Sequence, residues 1–317
     1  MNRFASVLPA LVSMACSQPS VSGESVGLTI PRGSSVSTVS DSLTARGVIG
    51  SARWFRLYTK LVGYERSIQA GVYDFPLQGK SSEVLRTLVA GRTAQNRLVV
   101  PEGLILAEIA ELAESQLGIS EQDFLAAAHD SGLVAGVRAT EPTLEGYLYP
   151  NTYHVSVGAS ALDVVRQMVS EFEMRWRPEW DARLDTLQMT RDQAITLASI
   201  IEGEAQHPVD LRYVSSVYHN RLARGMRLEA DPTVIYALGT RRRLFERDYR
   251  TPSRYNTYLI DGLPPHPIAQ PSAATIEAAL YPRESDFLFF VAGPGGRHIF
   301  SRTYREHIAA IRRIRDR

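Results

Sequence analysis

Glu202 is the residue of this chain whose type and setting point most directly to chemistry. It follows the mostly apolar residues 198–201 and precedes Gly203. A carboxyl among apolar residues costs free energy unless it is paired, protonated or used. On a helix, Glu204 points about 160° away from Glu202, so the two carboxyls cannot share one site. The pattern predicts a single general acid at Glu202, and the alternative is a solvated helix end that frays at Gly203.

Polar and aromatic residues in the blocks on either side of Glu202 are candidates for binding a substrate. They are Glu145, Tyr147, Asn220, Asp231, Asn256 and Tyr258. Tyrosine rings can stack on sugar rings, or they can pack in a core. Asp231 precedes Pro232 and is also suited to cap a helix, and the asparagines could satisfy loop backbone instead.

The sequence has no spacing typical of a metal or cofactor site. Its single cysteine cannot form a zinc-binding pair, and the histidines are scattered along the chain. The glycine-rich segments are typical of turns, and no Gly-x-Ser-x-Gly motif is present. We therefore expect no metal and no cofactor.

The N-terminus is typical of an exported bacterial protein. Arg3 is followed by about a dozen mostly apolar residues and then by Cys16. Residues 13–16 resemble a lipobox, which predicts lipidation of Cys16, although Ser13 and Met14 depart from the usual pattern. The alternative is a signal peptide cleaved without lipidation. Residues 1–16 are thus a predicted signal peptide, and the small, polar residues 17–26 are a predicted tether.

Bulk composition describes an ordinary folded protein. The chain has 317 residues, of which 44% are hydrophobic, and its formal net charge is +1. This balance gives no indication of nucleic-acid binding. Beyond the N-terminus, no apolar run is long enough to span a bilayer.

The order of predicted helices and strands indicates an α+β fold. Residues 27–95 form a small α/β module, residues 96–140 a connecting subdomain and residues 141–317 a mixed α+β domain. Thr190 and Gln193 form a capping box that opens the helix of Glu202. Pro31-Arg32-Gly33 and Pro101-Glu102-Gly103 both stand between a predicted strand and a predicted helix, which indicates either a weak internal repeat or coincidence.

Five ordered blocks resemble the endolytic murein transglycosylase family, whose members are called MltG or YceG-like. The blocks are residues 144–153, 198–202, 217–222, 225–236 and 255–265. The resemblance runs from about residue 27 to the end of the chain. It implies that residues 27–95 are a LysM-like module and that residues 141–317 are the catalytic domain.

The resemblance also implies an activity. The substrate would be peptidoglycan glycan strands, cleaved at the MurNAc-GlcNAc β-1,4 bond to leave a 1,6-anhydro-MurNAc end, with Glu202 as the acid. Cleavage would terminate growing strands, and peptidoglycan synthases would be partners. The protein would be held in the cell envelope on the outer side of the cytoplasmic membrane. Because the family usually carries a transmembrane anchor, the lipobox-like start leaves the mode of anchoring open.

Single-carboxyl chemistry agrees with this assignment, because the substrate's own 6-hydroxyl replaces the water and second carboxylate of ordinary glycosidases. One alternative is a non-catalytic, glycan-binding scaffold lipoprotein. Another is a hydrolase that activates water, for which Glu145 and Asp231 are the candidate second carboxylates.

Overall fold

The computed structural model describes residues 25–204 and 207–316, which divide into two compact units at residue 94. Each unit has its own hydrophobic core. Helices joined to short antiparallel strand pairs make up both units, so the predicted α+β class is confirmed. None of the described helices is long and apolar enough to cross a membrane.

The first unit is built on one strand pair and three helices. Strand β1 alternates exposed and buried side chains, and Leu28 and Ile30 point into the core. Ser35 and Ser51 begin two of the helices by accepting a backbone N–H on their side-chain oxygens. The elements are β1 (Ser25–Ile30), α1 (Val36–Ala45), α2 (Ala52–Leu61), β2 (Gly71–Pro76) and α3 (Ser81–Ala90), with β1 antiparallel to β2.

The second unit holds most of the helices. Its strands pair antiparallel as β3 with β4 and as β5 with β6. In chain order its elements are β3 (Gln95–Val99), α4 (Leu106–Leu117), α5 (Glu121–Ala127), α6 (Ser131–Val137), β4 (Thr152–Ser156), α7 (Ala161–Arg175), α8 (Pro178–Leu187), α9 (Arg191–Glu204), α10 (Leu211–Ala223), α11 (Asp231–Leu238), α12 (Ala273–Leu280), β5 (Phe289–Ala292), β6 (His298–Ser301) and α13 (Tyr304–Arg315).

One arrangement occurs in both units. A strand ends before a proline, a turn follows in which Gly33 or Gly103 has a positive φ of 79° or 75°, and a helix begins five residues after the proline. In each unit that strand then pairs with the next strand along the chain, which lies beyond the intervening helices. The sequence alone left open whether the two similar turns are an internal repeat or a coincidence. In the structure they occupy equivalent places in the two units.

Helix α9, which carries Glu202, lies in the core of the second unit. The predicted capping box is present, because Thr190 Oγ1 accepts the N–H of Gln193 and the Gln193 side chain accepts the N–H of Thr190. Residues 194–201 are all buried. Gly203 lies within the helix, and a Cβ there would come 2.7 Å from Pro232 of α11. This contact closes the end of α9 against α11, which differs from the fraying considered for Gly203.

Candidate active site

The Glu202 carboxyl is held by the beginning of a different helix. Its Oε2 accepts the backbone N–H of Ser272 at 2.7 Å and the hydroxyl of Thr275 at 2.7 Å. Ser272 is the N-cap of α12, so the carboxyl lies where that helix has free backbone donors. Both of these bonds use Oε2, which leaves Oε1 as the oxygen for another partner. The surroundings of the carboxyl are therefore polar, although the sequence predicts apolar neighbours.

A cleft of about 340 Å³ is lined by sequence neighbours of Glu202. Its walls come from the turn after β3, from α4, from the end of α9, from α11 and from residues 268–269. Ser199 and Gly203 line it on either side of Glu202 in sequence, and Tyr236 and Arg241 also line it. Glu202 is half-buried and is not itself a lining residue, but it lies between the lining residues Ser199 and Gly203 on α9.

The turn at residues 101–103 brings backbone against the Glu202 side chain. Gly103 donates its N–H to the carbonyl of Gln270, and Gln270 donates its N–H to the carbonyl of Leu104, each at 2.8 Å. A Cβ at Gly103 would lie 3.6 Å from Cγ of Glu202. The segment that leads into α12 and the turn after β3 are therefore joined directly beside the candidate acid.

Glu102, on the same turn, is a second carboxyl near Glu202 that the sequence analysis missed. Burial raises its pKa, and the nearby charge of Glu202 raises it further. From the sequence, Pro101-Glu102-Gly103 is predicted only as a turn, and Glu145 and Asp231 are the candidate second carboxylates. The occurrence of an acid within a repeated turn was the signal that could have identified Glu102.

Glu145 is buried and hydrogen-bonds to three segments near the cleft. It accepts the Leu106 N–H at 3.2 Å, the Gln270 side-chain N–H at 2.6 Å and the Tyr236 hydroxyl at 3.4 Å. Burial raises the pKa of Glu145 to about 8. Its contacts join the start of α4, the segment before α12 and a tyrosine that lines the cleft.

Tyr147 lies in the core of the second unit. Its ring packs edge-on against Phe172, and its hydroxyl donates to Asp192 Oδ1 at 2.7 Å. Burial, together with the charge of Asp192, raises the pKa of Tyr147 far above its usual range. The ring is fully buried, so no face of it is open to a sugar.

The two asparagines are bonded to loop carbonyls. Asn220 donates to the carbonyls of Ser285 and Phe287 at 2.8 and 3.0 Å. Asn256 has no exposed surface and donates to the carbonyls of Tyr249 and Thr251 at 3.1 and 2.9 Å. These contacts correspond to the alternative in which both amides satisfy loop backbone.

Asp231 and Tyr258 bond to each other. The Tyr258 hydroxyl donates to Asp231 Oδ1 at 2.7 Å. Asp231 is the first residue of α11, and Ala230 holds the N-cap position without a side-chain bond, so the expectation that Asp231 caps this helix is wrong. Its carboxylate is engaged by tyrosine instead of by the helix's own N–H groups.

Glu204 faces a different part of the protein from Glu202. It accepts the Tyr218 hydroxyl at 2.9 Å, and burial raises its pKa to about 7. Tyr218 belongs to α10, whereas the partners of Glu202 belong to α12. The two carboxyls diverge as helical geometry requires, which leaves one α9 carboxyl beside the cleft.

The remaining predicted site features are not part of the cleft. Cys16 and the signal peptide lie outside the described residues. Within the residues that the structure describes, no group of three or more His, Cys, Asp or Glu side chains is arranged to hold a metal ion.

Comparisons with known proteins cover nearly the whole chain. A family model described as the YceG-like family matches residues 28–313. A Bacillus subtilis protein named endolytic murein transglycosylase is 31% identical over an alignment of 299 residues, and the match covers 89% of this chain and 82% of that protein. A Streptococcus pneumoniae protein of the same name is 28% identical, and the match covers 83% of this chain and 53% of the longer streptococcal protein.

A solved structure is also similar. The crystal structure of a YceG-like protein from Listeria monocytogenes superposes with a TM-score of 0.63 at 34% sequence identity. The match covers 91% of this chain and all of the Listeria chain. The similarity therefore extends through both compact units.

Proposed function

Since this chain belongs to the YceG-like family, we propose that it cleaves peptidoglycan glycan strands internally, with Glu202 as the only acid and base. The chain is a lytic transglycosylase, and it acts in the cell envelope. The observation that carries the role of Glu202 is its fixed carboxyl on α9 between residues that line the cleft, with Oε2 bonded to Ser272 and Thr275, so that Oε1 can serve the substrate.

The proposed reaction needs one proton transfer in each direction. Protonated Oε1 donates to the glycosidic oxygen between MurNAc and GlcNAc while the bond from that oxygen to the anomeric carbon breaks. The 6-hydroxyl of the same MurNAc then bonds to the anomeric carbon, and its proton returns to Oε1. The product is a 1,6-anhydro-MurNAc end, and no water is consumed.

Fixing Oε2 favours this use of a single oxygen. The two donors from α12 hold the carboxyl in one orientation, so that the oxygen that gives the proton is also placed to take it back. A freely rotating carboxyl would lose this alignment. Thr275 and Ser272 are therefore proposed as positioning residues, which act on the substrate through Glu202.

Glu102 is proposed to stabilise positive charge at the anomeric carbon. The transition state of glycoside cleavage resembles an oxocarbenium ion, which a nearby carboxylate stabilises electrostatically. Glu102 is also the residue that would activate water in the hydrolase alternative. Glu145 is buried, and the Asp231 carboxyl accepts a bond from Tyr258.

The predicted substrate-binding roles divide according to these contacts. We assign Glu145, Tyr147, Asn220 and Asn256 to holding the site together, and Asp231 with Tyr258 to the α11 wall. The LysM-like character of residues 27–95, the anchor at Cys16, the meeting with peptidoglycan synthases and the termination of growing strands stay predictions.

The test is product analysis with Glu202→Gln. Purified glycan strands are incubated with enzyme and the products are measured by mass spectrometry. We expect anhydro-ended fragments from the wild type and from the control Glu114→Gln, which changes an exposed carboxyl of α4, and none from Glu202→Gln at an unchanged melting temperature. Anhydro products at the wild-type rate from Glu202→Gln would refute the assignment. Products heavier by one water would instead establish hydrolysis.

A further inference from the structure

Helix α2 exposes a row of large apolar side chains. Trp54, Leu57 and Leu61 are 56%, 50% and 72% exposed, and their spacing of three and four residues places them on one face of the helix. The opposite face contributes Phe55 and Thr59 to the core, where both are fully buried. The helix therefore has an apolar side that its own unit does not cover.

Residues just after α2 extend this surface. Val62 is 40% exposed and Tyr64 is 46% exposed. We call Trp54, Leu57, Leu61, Val62 and Tyr64 together the α2 face. Several large apolar side chains exposed on and just after one helix indicate a site of interaction with a protein or a membrane.

Basic side chains border the α2 face. Arg53 and Lys60 are exposed on the helix beside the apolar row, and Arg56 lies further round, paired with Asp41 at 2.9 Å. Residues 25–94 contain nine Lys or Arg against four Asp or Glu, whereas residues 95–317 contain 25 against 29. The first unit therefore carries a net positive charge, although the net charge of the whole chain is close to zero.

We propose that the α2 face docks on the surface of a bilayer that contains anionic lipids. Leu57 and Leu61 would enter the boundary between headgroups and acyl chains, and Trp54 and Tyr64 would lie at headgroup depth, where such rings are enriched. Arg53 and Lys60 would contact the anionic headgroups.

The combination of residues favours lipid over a protein partner. Trp and Leu on one side of a helix with Arg and Lys beside them is the composition of helices that lie in a membrane interface. A partner protein would not require the positive charge to extend over the rest of residues 25–94. If Cys16 is lipidated as predicted, Ser25 follows it by nine positions, a length of chain that spans at most about 30 Å and keeps this unit close to the membrane.

A single-site label tests the contact in the full chain. Because Cys16 is the only cysteine, a Cys16→Ser background with Leu57→Cys offers one thiol for an environment-sensitive fluorophore. The matched control is Glu83→Cys in the same background, an exposed position on α3. The label reports only the environment of the α2 face, so membrane binding through the apolar N-terminal residues alone would not shift its emission.

We expect a blue shift at position 57, and none at position 83, on vesicles of phosphatidylglycerol and phosphatidylcholine. Adding Arg53→Glu and Lys60→Glu should raise the lipid concentration needed for half of that shift by about tenfold. No shift at position 57, equal shifts at both positions, or a shift of the same size on pure phosphatidylcholine would overturn the proposal. The first result would leave a protein as the occupant of the α2 face.

Discussion

Replacing Thr275 by valine removes one of the two bonds that fix the Glu202 carboxyl and keeps the shape of the side chain. Thr275 is buried, and its hydroxyl donates to Oε2 at 2.7 Å. A hydrogen bond to a charged group contributes about 1.5–3 kcal/mol. If the transition state depends on that bond in full, kcat/KM falls by about ten- to 150-fold, at 1.4 kcal/mol for each factor of ten.

The assay for Thr275→Val is the initial rate of release of anhydro-ended fragments from purified glycan strands. Thr275→Ser is the matched control, because it keeps the hydroxyl and should stay within about threefold of the wild type. Melting temperatures of both variants separate a loss of alignment from a loss of folded protein. A valine variant as fast as the wild type would mean that fixing Oε2 contributes nothing, and would refute the positioning role.

Three further predictions concern other carboxyls and the buried amide. Glu102→Gln should lower kcat about ten- to a hundredfold with KM little changed, because a transition-state charge is lost; an unchanged kcat would exclude that role. The pKa of Glu145 is raised to about 8 in the folded state, so between about pH 4.5 and 8 the folded protein binds more protons at this residue than the unfolded protein does. The free energy of unfolding should therefore fall as pH rises through this range, and Glu145→Gln should flatten that dependence in thermal melts. Asn256→Ala should destabilise the fold by about 2 kcal/mol, measured by urea unfolding, while kcat at 25 °C stays within twofold; a selective rise in KM would instead restore Asn256 as a substrate ligand.

Local signals in the sequence predicted the helices and strands well. Thr190 with Gln193 forms the predicted capping box at the start of α9. Such signals act within one turn of helix, so they can be recognised without knowing the rest of the fold. The error at Asp231 arose because a tyrosine from a distant loop, Tyr258, engages its carboxylate.

The site was predictable only in part, because its contacts join distant segments. Glu202 was identified from its place on an apolar helix and from the resemblance. Its bonding partners Ser272 and Thr275 lie 70 and 73 residues away, and no short-range pattern pairs them. Tyr147 was expected near substrate, but its partner Asp192, 45 residues further on, places it in the core.

The anchoring of the proposed acid Glu202 on α12 makes the alignment of its carboxyl depend on the completion of folding. A carboxyl oriented by its own helix would be aligned as soon as that helix formed. Here the oxygen is set by residues that follow it by about a quarter of the chain, so a partly synthesised or clipped polypeptide that lacks α12 has no aligned acid. Under the proposed role of Glu202, the enzyme would stay inactive until its second unit has been assembled.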